Sequence, residues 1–200
     1  MDRFLRFEAD AVTTARRLLG QRLVHVVGGE RVAGIIVEVE AYLGPEDRAA
    51  HTYGGRRTAR NASMWQGGGY AYVYFTYGLH FCMNVVCGPG AAGTAVLLRA
   101  VEPTEGLEGM FARRPAARRE RDLCSGPARL TQAFAIDRRR DGADLRVDES
   151  LWIEALRRRP LPDARIGAGP RVGVGYAGAW ARRRLRFFVR DSPHVSRGRG

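Results

Sequence analysis

The chain has 200 residues, 45% of them hydrophobic and 27% charged, which suffices for one globular domain with its own core. Its formal net charge of +12 favours a polyanionic partner, with nucleic acid as the first candidate, over a surface charged for solubility alone. All 33 basic residues are arginine, which excludes a lysine Schiff base as the nucleophile and leaves a carboxylate-activated water open.

The sequence predicts neither a membrane anchor nor a metal centre. No apolar run approaches the roughly 20 residues of a membrane span, and charged residues interrupt the first eight positions, where a signal peptide needs an apolar core. We therefore expect a cytoplasmic protein. The three cysteines, Cys82, Cys87 and Cys124, form no C-x-x-C pair, so neither a disulfide framework nor a zinc site is predicted. No cofactor is expected.

The first predicted elements are a helix and two strands. The helix covers residues 10–19, with Asp10 as its N-cap and Gly20 as its stop. Strands over residues 22–27 and 31–42 are expected to pair antiparallel across a Gly-Gly turn.

The second of these strands carries the first candidate site. Its alternation places Glu38, Glu40 and Tyr42 on one face, and after a Leu-Gly-Pro turn the chain reaches His51. A carboxylate and a phenol at a strand end, beside a loop that returns a histidine, form a plausible site. The alternative is that both glutamates face solvent on a half-buried strand.

A tyrosine-rich hairpin carries the second candidate site. Strands over residues 70–75 and 80–86 flank a predicted turn, with Tyr72 and Tyr74 on one face and Tyr77 at the tip. Tyrosine suits stacking on a nucleobase, and a tip aromatic suits wedging between base pairs. The alternative is a hairpin with ordinary aromatic cross-strand pairs. The preceding Gly- and Arg-rich loop, residues 52–61, has donors for phosphates.

The remaining elements complete an α+β prediction. Arg99 lies in an otherwise apolar strand, residues 94–101, and needs a carboxylate partner, either Glu40 or Glu102. Helices are predicted over residues 103–112 and from Ser125 to about residue 136, with a charged connector between them. Further strands are predicted over residues 151–154, 171–174 and 185–189. We expect a single domain over residues 1–200, a curved, mostly antiparallel sheet with surrounding helices, frayed at about 1–8 and 193–200.

Several segments taken together resemble the alkyladenine (3-methyladenine) DNA glycosylase family. They include V-E-V-E-A-Y-L-G-P-E-D-R-A-A-H, G-G-R-R-T-A-R-N, Y-V-Y-F-T-Y-G-L-H-F-C-M-N, V-L-L-R-A-V-E-P, L-C-S-G-P-A-R-L and R-V-G-V-G-Y-A-G-A-W. The resemblance implies a fold similar to the formyltransferase C-terminal domain. It also implies a monofunctional DNA glycosylase that flips alkylated or deaminated purines (3-methyladenine, 7-methylguanine, hypoxanthine, ethenoadenine) out of double-stranded DNA and hydrolyses the N-glycosidic bond. A monomer associated with the nucleoid is expected.

The same resemblance implies a role for individual residues. Glu40 matches the general base that activates the attacking water, and Arg99 matches an arginine beside it. The base pocket would comprise Tyr42, His51, Tyr74, Asn84 and Leu97, with Asn84 disfavouring guanine. Tyr77 would fill the gap left by the flipped base. DNA backbone contacts would come from Arg56, Arg57, Arg60, Ser125 and Arg129.

The sequence is also compatible with two other functions. A carbohydrate glycoside hydrolase could use Glu38 and Glu40 as its acid and base, and would turn over carbohydrate. A non-catalytic module that binds damaged DNA or RNA would release no base at all. Tyr176 stands where a member of that family has histidine, and the resemblance implies no role for it.

Overall fold

The structure is a computed structural model that describes residues 6–76 and 78–196. Over those residues the chain forms eight strands and four α-helices, and none of these helices has the length and apolar character to cross a membrane. The strands are β1 (Arg22–Val27), β2 (Glu30–Tyr42), β3 (Ala71–Thr76), β4 (His80–Cys87), β5 (Thr94–Glu105), β6 (Leu151–Glu154), β7 (Ile166–Gly169) and β8 (Arg186–Val189). The helices are α1 (Ala11–Leu18), α2 (Leu107–Arg113), α3 (Glu120–Leu123) and α4 (Pro127–Ala133).

All of these strands belong to one antiparallel sheet, and β2 lies at its centre. The strand order is β3-β4-β5-β2-β1-β6, with β8 bonded to β2 and β7 bonded to β8. Along one edge β2 pairs with β5; along the other it pairs first with β1 and then, from Glu38 to Glu40, with β8. The predicted α+β fold, a curved antiparallel sheet with helices around it, is confirmed.

The core lies between the sheet and the helices. In α1, Ala15 and Leu18 share a buried cluster with Ile36 and Val39 of β2. Asp10 caps the helix, since its Oδ1 accepts a hydrogen bond from the backbone N–H three residues on, at 2.9 Å. Side chains alternate along a strand, and Val39 faces the core. Its neighbours Glu38 and Glu40 therefore lie on the opposite face of the sheet. The candidate site lies on that opposite face.

Two helix boundaries differ from the prediction. A helix is expected over residues 103–112, but β5 continues to Glu105 and α2 begins only after Gly106. Gly106 has a φ of +73°, and a Cβ at that position would lie 2.5 Å from Val32 Cγ1. Helix α4 ends at Ala133 instead of residue 136, because Ala135 adopts a φ of +53°.

The predicted strand over residues 171–174 is wrong. These residues form an irregular segment, in which Gly173 has a φ of +76°. The N–H of Val172 donates to the Glu40 side chain at 2.7 Å, so it is not available to a strand ladder.

The C-terminal segment also differs from the prediction. Of the C-terminal residues expected to fray, 193–196 are described, and among these His194 and Ser196 are only 9% and 7% exposed. Ser196 hydrogen bonds to the buried Glu38, which explains why this segment packs against the sheet. At the other end, Phe7 is 2% exposed and belongs to the core.

Candidate active site

The candidate residues form a row across the sheet. Tyr72 of β3 lies opposite Asn84 of β4, which lies opposite Leu97 of β5. Leu97 in turn lies opposite Glu40 of β2. Directly opposed residues share one face, and adjacent strands are about 4.8 Å apart. The register therefore brings residues from distant parts of the chain into one site.

One wall of the site, here called the carboxylate wall, consists of Glu38, Glu40, Tyr42 and Arg99. Both glutamates are fully buried, so the interpretation of a solvent-facing strand is wrong. Arg99 Nε donates to Glu38 Oε1 at 2.9 Å, and Nη1 lies 3.0 Å from Glu40 Oε1. The Tyr42 hydroxyl donates to Glu40 Oε2 at 2.9 Å. Of the two carboxylate partners predicted for Arg99, Glu40 is the one it contacts, whereas Glu102 is exposed.

A β-bulge directs Arg99 towards the glutamates. Glu38 lies opposite Ala100, but the next residue, Val39, lies opposite Leu98, so Arg99 is the extra residue on β5. Bulges re-aim side chains and are frequent beside active sites. Here the bulge keeps Leu98 and Val39 together in the core while the guanidinium reaches both carboxylates.

Glu40 has a raised pKa and a nearly complete set of contacts. Burial raises the pKa of its carboxyl above the usual value, while Arg99, the Val172 N–H and the Tyr42 hydroxyl act against the rise, and Glu38 adds to it. Oε1 contacts the Val172 N–H at 2.7 Å and Arg99 at 3.0 Å. Among the described residues Oε2 accepts one hydrogen bond, so it retains a lone pair for a further donor.

A second buried ion pair supports this wall from behind. Arg171 donates to both oxygens of Asp47, at 2.5 and 2.8 Å, and both side chains are fully buried. Its Nη1 also donates to the Ala41 carbonyl at 2.9 Å, and its guanidinium carbon lies 4.6 Å from the centre of the Tyr42 ring. Burial raises the pKa of Asp47, but the bonds from Arg171 and from two backbone amides hold it below its usual value. The pair fixes the segment that carries Val172.

The opposite wall, here called the aromatic wall, consists of His51, Tyr72 and Tyr74. His51 Nδ1 lies 2.7 Å from the Tyr72 hydroxyl, and the His51 and Tyr74 rings meet edge to face with centroids 4.6 Å apart. Tyr72 and Tyr74 stack at 5.3 Å. Burial raises the pKa of both phenols, so they are protonated at neutral pH.

His51 is neutral at physiological pH. Burial, and then the positive charges of Arg60 and Arg56, lower its pKa to about 4. The aromatic wall therefore presents uncharged rings, although arginines surround it.

The two walls enclose a cavity of about 200 Å³. Asn84 and Leu97 line its floor, and Asn84 is held by a bond from Nδ2 to the Tyr72 carbonyl at 3.2 Å. Arg99, Tyr42 and Val172 also line the cavity, and all three contact Glu40, which lies directly behind them. At the rim, the 70% exposed Tyr176 donates from its hydroxyl to the Ala49 carbonyl at 3.3 Å.

The predicted loop arginines occupy different places around the cavity. Arg60 lines it, with its guanidinium carbon 5.5 Å from the centre of the Tyr74 ring. Arg56 lines a neighbouring cavity of about 310 Å³ on the His51 side. Arg57 lies over the Trp65 ring at 4.2 Å and lines neither of these two cavities.

The other predicted contact residues lie beyond Arg99. Arg129 Nη1 donates to the Ser125 hydroxyl at 3.3 Å, and both residues line a cavity of about 500 Å³ that Arg99 also borders. Tyr77, the predicted wedge at the hairpin tip, lies outside residues 6–76 and 78–196.

Sequence reasoning misses Asp47, Arg171 and Ser196. Asp47 lies in the polar segment between Glu40 and His51, which is a signal that it belongs to the site. No spacing rule, however, links it to a partner 124 residues away. Ser196 falls in the segment expected to fray, and its contact with the sheet has no local signature.

The chain is similar to known proteins over most of its length. A family model described as methylpurine-DNA glycosylase matches residues 5–193. A human protein named DNA-3-methyladenine glycosylase is 49% identical in an alignment of 199 positions, and that alignment covers 95% of this chain. A protein of Bacillus cereus (strain G9842), provisionally named a 3-methyladenine DNA glycosylase, is 40% identical over 198 residues, covering 96% of each chain.

The chain therefore belongs to the methylpurine-DNA glycosylase family, and the resemblance drawn from its motifs is confirmed. It spans 66% of the length of the human relative and 59% of that of the mouse relative.

Proposed function

We propose that this protein is a monofunctional DNA glycosylase. It flips a damaged purine out of double-stranded DNA and hydrolyses the N-glycosidic bond with a water activated by Glu40. The observation that carries the proposal is a fully buried glutamate behind one wall of a cavity whose other wall is aromatic. Family membership and the net charge of +12 support DNA as the partner.

The chemistry follows from the two walls. The flipped purine lies between them, where neutral, electron-rich rings attract an alkylated, cationic base through stacking and cation–π interaction. The neutral state of His51 supports this arrangement, because an imidazolium would repel such a base. The C1′–N bond breaks with its electron pair going to the purine, water oxygen bonds to C1′, and Glu40 accepts the water proton.

Glu40 is suited to the role of general base. Its raised pKa makes it a stronger base than a solvent-exposed glutamate, and its Oε2 has a lone pair left for a water. Arg99 lies at the cavity surface beside it, where a positive charge would hold the carboxylate and orient that water.

The remaining predicted residues supply selectivity and DNA contacts. Asn84 and Leu97 lie on the cavity floor, where Asn84 would disfavour guanine by crowding its exocyclic amine. Tyr77 at the hairpin tip would occupy the space left by the flipped base. The backbone contacts would come from Arg56, Arg57, Arg60, Ser125 and Arg129.

The environment of Glu38 argues against a carbohydrate hydrolase. That mechanism needs a second carboxyl group that can reach the substrate and give up a proton. Glu38 accepts hydrogen bonds from Arg99, Arg186 and Ser196, and of these three residues only Arg99 lines the cavity of about 200 Å³. These contacts therefore connect Glu38 to the cavity only through Arg99, whereas Tyr42, Arg99 and Val172 all connect Glu40 to it.

The test is base release from a duplex with one hypoxanthine, one ethenoadenine or one 7-methylguanine, at enzyme excess. We expect free base and an intact strand that breaks only after alkali treatment. Tight binding without base release from all three duplexes would contradict the proposal and support a non-catalytic binding module.

A further inference from the structure

Glu38 is a buried carboxylate that the proposed reaction does not use. Its Oε1 accepts from Arg99 Nε at 2.9 Å, from Arg186 Nη1 at 3.2 Å and from the Ser196 hydroxyl at 2.9 Å. Its Oε2 accepts from the Ser196 N–H at 2.6 Å. Burying a charge is expensive unless it is paired and hydrogen-bonded, and here the donors come from β5, β8 and the C-terminal segment. Because burying this carboxylate costs free energy and requires several donors, we examine what Glu38 does in the site.

Those bonds fix the direction of the Arg99 side chain. Its guanidinium is planar, and Nε is held by Glu38 while Nη2 donates to the Ser196 hydroxyl at 3.2 Å. With these two nitrogens anchored, the third nitrogen, Nη1, has one position, 3.0 Å from Glu40 Oε1. Glu38 therefore determines how Arg99 meets Glu40.

Glu38 also divides the charge of Arg99 between two carboxylates. The charged and titratable groups around Glu40 are Glu38, Tyr42, Tyr74, Cys82, Arg99 and Arg186, together with the Arg171–Asp47 pair. Arg171 is neutralised by Asp47, so Arg99 is the cation whose charge reaches Glu40 in full if Glu38 becomes neutral. A full positive charge at 3.0 Å would make Glu40 a weaker base.

We propose that Glu38 is a positioning residue of the reaction, a step that rests on the function proposed above. It aims Arg99 at Glu40 and takes up part of the arginine's charge, so that Glu40 stays basic enough to activate water. Arg186 lies opposite Glu40 in the pairing of β2 with β8, but its guanidinium forms an ion pair with Glu38, at 3.2 Å, and it acts in the opposite sense. Arg186 neutralises part of the negative charge on Glu38, so that more of the positive charge of Arg99 acts on Glu40.

The experiment is the pH dependence of single-turnover base release for wild type, Glu38→Gln and Arg186→Gln, on a lesion duplex from which wild type releases the base. We expect Glu38→Gln to shift the acid limb to lower pH by about one unit and to lower the plateau rate roughly 10-fold. Arg186→Gln should shift the limb to higher pH by a smaller amount. Binding of the lesion duplex should be unchanged in both variants.

Opposite shifts are the signature of a charge effect, since a merely structural defect lowers the rate at every pH and leaves the limb in place. An unmoved limb, or a shift of the same sign in both variants, would overturn the proposal. If Glu38→Gln does not fold, the acid limb of Arg186→Gln tests the proposal alone: a shift to higher pH supports it, and an unmoved limb or a shift to lower pH overturns it. Base release by wild type with an unmoved limb in both variants removes only this inference. No base release by wild type removes the proposed function as well.

Discussion

The carboxylate wall and the aromatic wall border the same cavity, but different forces hold them. In the carboxylate wall, ion pairs join β2, β5 and β8, and hydrogen bonds from Arg171 and Val172 connect the neighbouring irregular segment to β2. In the aromatic wall, His51 packs on two tyrosines of β3, which is the edge strand of the sheet. Ionic contacts at the centre of the sheet are thus combined with ring contacts at its edge.

This difference predicts how each wall should respond to amino-acid substitution. A buried ion that loses its partner is left uncompensated, so a single substitution in the carboxylate wall carries a large cost. Ring packing is lost in proportion to the contact area removed, so the aromatic wall should respond in a graded way. The first wall is sensitive to charge, and the second is sensitive to shape.

The largest expected effect on stability is that of Asp47→Asn. It leaves Arg171 buried without a counter-charge, which should lower the free energy of unfolding by about 3–5 kcal/mol. Urea unfolding at pH 7 measures the loss. The matched control is Arg146→Gln, which breaks the surface pair with Asp144, where the arginine side chain is 41% exposed, and should change little. Equal effects of the two substitutions would contradict the difference between buried and exposed pairs.

The same substitution has a pH signature. The folded-state pKa of Asp47 is depressed, so its stabilising contribution is present above the unfolded value of about 3.9 and is lost as the pH falls through the lower folded value. The stability gap between wild type and Asp47→Asn should therefore narrow in acid. A gap that stays constant would argue against the ion pair as its cause.

A smaller effect is expected from Tyr74 in the aromatic wall. Tyr74→Ala removes a stacking surface worth about 1–3 kcal/mol per base, so affinity for a lesion duplex should fall roughly 5- to 150-fold. Tyr74→Phe keeps the ring and should retain most of that affinity. Equilibrium binding to lesion and undamaged duplexes measures both variants. A loss as large in the phenylalanine variant would mean that the hydroxyl, and not the ring, matters.

The smallest effect is expected outside both walls. Arg56→Gln should weaken binding to damaged and undamaged DNA alike and reduce the salt slope of binding by about 0.9. The control is Arg157→Gln, because Arg157 packs beside Gly20 after α1 and lines none of the three cavities around the site. A change in lesion preference in Arg56→Gln, or an equal slope change in Arg157→Gln, would contradict a backbone contact at Arg56.

The sequence predicts what is local and misses what is distant. Glu40 and Tyr42 could be placed together because alternation along one strand is enough to do so, and they do share a hydrogen bond. The strands of the tyrosine hairpin follow from the same rule. The partner of Arg171 lies 124 residues away and that of Ser196 lies 158 residues away, so only the completed sheet brings them together. The bulge that aims Arg99 depends on the pairing of two strands, and neither strand encodes it alone.

The most direct test of Glu40 as the general base is single-turnover base release by wild type and Glu40→Gln across pH, with binding of the lesion duplex measured in parallel. Burial raises the pKa of Glu40, so the wild-type rate should climb as the pH rises through a value above the usual glutamate range and then level off. Glu40→Gln should bind the duplex normally and release base about 100-fold more slowly or worse. A glutamine variant that releases base at the wild-type rate would contradict the mechanism.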